Sequence, residues 1–202
     1  AKNLELGIFP KLAGLDVETT GTTSLAAEFK GTTYNPFGSA TLTATGSIAG
    51  ATFDSLNGVF RFKDYMIDVV SLIVAREISD KKYSASIEGL IPLKALFAES
   101  KESLTDNEQL KLKISLDEAN LSLLPNMSKL VAFGVGDLNG SVDVTGTAAH
   151  PQLNGQISLV DGTVKIKNMK SLIEHINIST LFKGERFDVE NFSCNIGDGL
   201  FT

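Results

Sequence analysis

The sequence predicts an all-β chain, mostly strands with a few short helices, in which each strand has one apolar and one polar face. Three observations carry this. Apolar residues recur at every second position through most of the chain, as a strand that sends alternate side chains to opposite faces requires. Glycine, Thr, Asn and Asp collect between these alternating runs, where turns call for them. Short phrases also return: Leu-Asn-Gly opens LNGVFRFKDY at 56–65, LNGSVDVTG at 138–146 and LNGQISLVDG at 153–162.

Taken in order, residues 10–30 (PKLAGLDVETTGTTSLAAEFK) are rich in small side chains and define no clear face. Residues 41–48 (TLTATGSI) form a weak strand. The next run reads as a hairpin with Asp64-Tyr65 in its loop. Phe62 then opposes Ile67, Phe60 opposes Val69, and Arg61 meets Asp68 on the other face. Strands are expected at 69–78 and 83–88. Pro92 suits the first turn of a helix running through LKALFAES, because that position needs no amide donor. Residues 103–108 are polar and read as loop. In LKLKISL (110–116), Leu110, Leu112, Ile114 and Leu116 share one face, and Lys111, Lys113 and Ser115 the other. Leu121–Phe133 and Asn168–Glu174 are two further helix candidates. Val142 and Val144 alternate in GSVDVTG. Asp161-Gly162 between alternating runs reads as a two-residue hairpin turn. It would set Leu159 against Val164 and Ile157 against Ile166, with Ser158 and Lys165 on the opposite face. Strands at 176–182 and 186–193 complete the pattern. GTTYNP (31–36) echoes GTAAHP (146–151), so the chain reads as one fragment, 1–202, with approximate repeat units at 31–97 and 138–202.

Chemical motifs are nearly absent. The net charge is −6 without a concentrated basic surface, which disfavours nucleic acid as a partner. The glycines from Gly134 to Gly140 imitate a phosphate-cradling loop, but such a loop needs a helix after it, and SVDVTG is a strand. His150 and His175 stand apart from acids or thiols at ligand spacing. The lone Cys194 cannot form an intrachain disulfide, and beside Phe192 it reads as a buried structural thiol. No serine sits in a nucleophile elbow. The expectation is a protein that is not an enzyme, with no cofactor and no metal. No stretch reaches the roughly 18 apolar residues of a membrane helix. Zero Trp and three Tyr argue against the aromatic girdles of an outer-membrane barrel. The chain starts and stops inside strand-like phrases, which suggests a section of a longer protein.

A sheet with one apolar face must cover that face, and this chain offers few helices to do so. Curling the sheet so that the apolar face looks inward is the remaining solution. The curled walls either meet in a filled core or stand apart as a slot.

The succession LNGSVDVTG, a turn with proline, LNGQISLVDGTVKIKN, a brief segment and INISTLFKGERFDVENFSC (138–194) resembles the TamB family and its AsmA-like relatives. SASIEGLIPLKALF (84–97) is similar to that family too. The resemblance implies a long sheet folded along its length into a hydrophobic groove, the β-taco. It implies the periplasmic part of a protein anchored in the inner membrane of a diderm bacterium. It further implies transport of phospholipid between inner and outer membranes, support of outer-membrane biogenesis and protein assembly, and an outer-membrane barrel as partner of the full-length protein. The lining positions that match the alternation are Phe60, Phe62, Ile67, Val69, Leu110, Leu112, Ile114, Leu116, Val142, Val144, Ile157, Leu159, Val164 and Ile166. The competing reading is a structural β scaffold or adhesin-like module with a filled core and no lipid. As an excised section, the chain is also expected to associate edge to edge through residues 1–10 and 195–202.

Overall fold

A computed structural model describes residues 2–7, 18–32, 36–48, 51–96, 109–121 and 130–202. Among the described residues, twelve strands follow one another in a single antiparallel sheet whose spatial order is the chain order. They are β1 (Leu4–Glu5), β2 (Thr19–Gly31), β3 (Pro36–Ile48), β4 (Ala51–Lys63), β5 (Met66–Ile78), β6 (Lys81–Pro92), β7 (Lys111–Asn120), β8 (Val131–Gly146), β9 (Pro151–Ile166), β10 (Ile173–Gly184), β11 (Arg186–Ile196) and β12 (Gly199–Phe201). A single helical turn, α1 (Leu93–Leu96), follows β6. The fold is therefore all-β, one open curled sheet.

Local chemistry accounts for the connections. Asp64 and Tyr65 both take positive φ, 52° and 62°, the geometry of a tight hairpin turn that matches strand twist. Across it Phe62 pairs with Ile67, Arg61 with Asp68 and Phe60 with Val69, as the sequence predicts. The echoed phrases GTTYNP and GTAAHP both span hairpin connections, closed by the pairs Gly31–Pro36 and Gly146–Pro151.

Several expectations are corrected. Asp161-Gly162 is not a hairpin turn: β9 runs straight through it to Ile166. Leu159 pairs with Leu138 and Ile178, and Val164 with Gly134 and Ile173. Asp161 is the extra residue of a β-bulge, with φ of 50°. A bulge and a two-residue hairpin both need a residue at ease with positive φ, and both flip the alternation by one step. The Asp-Gly signal is the same for either. Asn168–Glu174 is not a helix: Asn168 has φ of 67° and the Met169 N–H donates to the Ile166 carbonyl, which turns the chain into β10. Pro92 ends β6 instead of lying inside a helix, and the expected helix is only Leu93–Leu96, with 97–100 outside the described residues. Of Leu121–Phe133, Leu121 directly follows β7 and 131–133 belong to β8; 122–129 lie outside the described residues, as does the loop expected at 103–108. The glycine-rich run 134–140 is interior to β8.

Bulges give the sheet its bend. Extra residues occur at Glu118 on β7, Asp161 on β9 and His175 on β10, each with φ of 50°. Side chains stitch them to neighbouring strands. Asn139 Oδ1 accepts from the Glu118 N–H (2.9 Å), and Asn177 Oδ1 from the Asp161 N–H (3.1 Å). His175 Nδ1 lies 2.8 Å from Asp161 Oδ1. One bulge bends one strand; bulges on β7, β9 and β10 bend the sheet across several strands. Glycines finish the work. Gly21, Gly38, Gly46, Gly89, Gly140 and Gly155 have φ between 118° and 157°. A Cβ on any of them would lie 1.9–2.1 Å from a carbonyl oxygen of the adjacent strand, so no other residue fits this close, kinked approach.

Candidate functional site

Antiparallel partners share a face, so the register traces the apolar side from edge to edge. One row runs Leu25, Leu42, Gly58, Leu72, Ile87, Ile114, Val142, Gly155, Phe182, Phe187, a single residue from each strand β2 to β11. Beside it runs Thr23, Ala44, Leu56, Val74, Ala85, Leu116, Gly140, Ile157, Thr180, Val189. Neither row contains a charge. The sites of phase slip are bulges, and each bulge returns the next apolar residue to the same face. The whole sheet therefore has one apolar side.

Thirteen of the fourteen sequence-predicted lining residues stand on this side. Phe60, Val69, Leu112 and Val144 form part of a third row, and Phe62 and Ile67 of a fourth. Ile114 and Val142 lie in the first row, and Leu116 and Ile157 in the second. Leu159, Val164 and Ile166 follow along β9, the last paired with Val131. Leu110 precedes β7; its N–H donates to the Gly146 carbonyl and its side chain is half-buried. Alternation missed Leu25, Leu42, Leu56, Leu72, Val74 and Ile87 and, further on, Leu138, Leu153, Ile178, Phe182 and Phe187. The overlooked signal is that Leu-Asn-Gly itself alternates, Leu inward, Asn outward, Gly inward.

Burial along this face is uneven. Two clusters are well packed. Leu6, just after β1, sits with Ala44, Phe53 and Leu56. Leu121, just after β7 and only 3% exposed, sits with Leu159, Ile176 and Cys194 on β9, β10 and β11. In each case the residue leaving a strand reaches over strands further along the sheet, which requires the sheet to curl. Toward the β11 edge the face is open: Phe187, Val189 and Phe192 are 66%, 50% and 46% exposed.

Between these clusters lies a cavity of about 370 Å³, lined by Ile48 of β3, Phe53 and Leu56 of β4, Val74 and Arg76 of β5, Tyr83 and Ala85 of β6, and Ala119 of β7, among others. Across a flat sheet β3 and β7 would stand about 19 Å apart, so facing one cavity again reports the curl. Nearby, Lys81 Nζ lies 2.5 Å from Asp137 Oδ2, 3.4 Å from Glu118 Oε2 and 5.6 Å from the Tyr83 ring centre. Hydrogen bonding to Asp137 raises the Lys81 amine above its ordinary 10.5, aided by attraction to both carboxylates and opposed by desolvation. Cys194 is buried as a free thiol. Among the described residues no group of His, Cys, Asp and Glu could hold a metal, and no helix is long and apolar enough to cross a membrane.

Comparison of the chain with family models, with curated proteins and with solved structures returns no match.

Proposed function

We propose that this chain is a section of a conduit that shields phospholipid acyl chains between two membranes, as its resemblance to the TamB family implies. One observation carries the reading: an apolar face, free of charge along two full rows, that continues through ten adjacent strands and stays half-open along much of its area. Each methylene transferred out of water is worth about 0.8 kcal/mol, so a lipid of ~30 methylenes needs such a surface wherever it crosses an aqueous compartment. Apolar contact is non-directional, and neighbouring rows of Leu, Ile and Val offer nearly equal sites, so chains can move along the face while headgroups stay in water. The outer face, with Lys, Asp, Glu, Ser and Thr at alternating positions, keeps the section solvated. The polar compartment that fits is the periplasm, and the remaining partner implied by the resemblance is an outer-membrane barrel.

The test is native mass spectrometry of protein purified without detergent, paired with Ile157→Asp. Ile157 lies in the second row between Gly140 and Thr180 and is half-buried. In an open groove its carboxylate draws in water, so the melting curve shifts little while co-purified phospholipid falls. In a filled core the same unpaired charge costs several kcal/mol and the protein unfolds. Lipid-free wild-type protein together with an unfolded Ile157→Asp variant would establish the scaffold reading instead.

A further inference from the structure

The inward-facing register positions of the described strands hold only two charged residues, Arg76 and Lys81, and both are cations. They fall together. Arg76 pairs with Tyr83 across β5 and β6, and Lys81 pairs with Ile78 one step further. Arg76 and Tyr83 are also part of the wall of the 370 Å³ cavity, whose deeper lining is Phe53, Leu56, Val74 and Ala85. The Ser79-Asp80 turn lies just beyond, so this end of the cavity is at the sheet margin. Lys81 is held between Asp137 and Glu118, which fixes the local geometry and offsets its charge.

A cation at the margin and hydrocarbon behind it is the complement of an alkyl chain with an anionic head. Arginine suits that head well, because its planar fork donates paired hydrogen bonds to phosphate or carboxylate oxygens, and the Tyr83 hydroxyl can add another. Building on the groove reading above, we propose that this cavity is a subsite for one alkyl chain and that Arg76 selects an anionic headgroup at its mouth. The protein's net charge of −6 works against anion binding in general, so a preference for anions must come from a local site.

The test titrates the whole chain with four twelve-carbon probes below their micelle concentrations: dodecyl phosphate, dodecanoate, dodecylphosphocholine and dodecyl maltoside. The anionic probes should bind about tenfold more tightly than the other two, the scale of a charge-assisted hydrogen bond. Arg76→Gln should bring all four to the same affinity, Arg76→Lys should restore part of the preference, and Arg61→Gln, a cation on the outer face, should leave it intact. Ala85→Phe, which fills the cavity, should weaken all four. A stronger response to dodecyl phosphate than to dodecanoate assigns a phospholipid head, and the reverse assigns a free fatty acid. Equal binding of all four by the wild type, or a preference that survives Arg76→Gln, overturns the subsite while the groove reading stands. No binding of any probe overturns both.

Discussion

The three Leu-Asn-Gly phrases look alike in sequence, yet their glycines should respond very differently to alanine. Gly140 and Gly155 have φ of 141° and 146°. A Cβ there would lie 2.1 Å from the carbonyl oxygens of Gln156 and Ser141, respectively. Both obstacles are backbone atoms in the β8–β9 ladder, so relief means prising the strands apart. Backbone strain of this kind costs on the order of 1–3 kcal/mol, and a lost ladder hydrogen bond adds about 1 kcal/mol. The reduced entropy of the unfolded chain returns up to about 1 kcal/mol. Gly140→Ala and Gly155→Ala should therefore each lose about 2 kcal/mol, lowering Tm by roughly 4–8 °C for a domain of this size. Gly58 is the contrast. Its nearest obstacle is the Phe60 ring, Cε2 at 2.6 Å, with Leu72 Cδ1 at 3.3 Å. Those side chains can rotate away, so Gly58→Ala should lose no more than about 1 kcal/mol. Thermal melts of the three variants make the comparison. Equal shifts at all three positions would refute the argument that the second and third glycines exist to let β8 and β9 approach and kink.

Two further outcomes follow from the register and the charges. The folded Lys81 amine is raised above 10.5, so its contribution to stability is complete below the unfolded value and lost as pH climbs through the folded one. Melting temperatures should fall at strongly alkaline pH, and Lys81→Met should flatten that limb; an identical limb in the variant would remove Lys81 as its cause. Residues Arg186–Ser193 of β11 pair with β10 on one side, while β12 covers only Cys194–Ile196 on the other. An open strand edge invites pairing with another chain, so sedimentation should show concentration-dependent association. An inward lysine, Val189→Lys, should suppress it, and association indifferent to that change would place the contact elsewhere.

Period-two alternation was enough to identify the fold class, the Asp64-Tyr65 hairpin with its Arg61–Asp68 pairing, and thirteen residues that share one face. All of these depend on local rules: side chains alternate along a strand, and turns need residues tolerant of positive φ. Alternation failed where the chain slips phase. Between Leu159 and Val164 the apolar parity changes, and a hairpin or a bulge reconciles that change equally well. The choice belongs to β8 and β10, which run alongside β9 past Asp161 and supply partners that a hairpin would leave unpaired. The cavity was illegible for a related reason. Ile48, Arg76, Tyr83 and Ala119 come from four strands and meet only because the sheet curls. That curl depends on glycine kinks and bulges acting together across strands, and no single stretch of sequence contains it. Composition and alternation determined that this chain would be a sheet with one apolar side. Only the tertiary structure decided how far that side continues, where it closes over itself, and which two cations it admits.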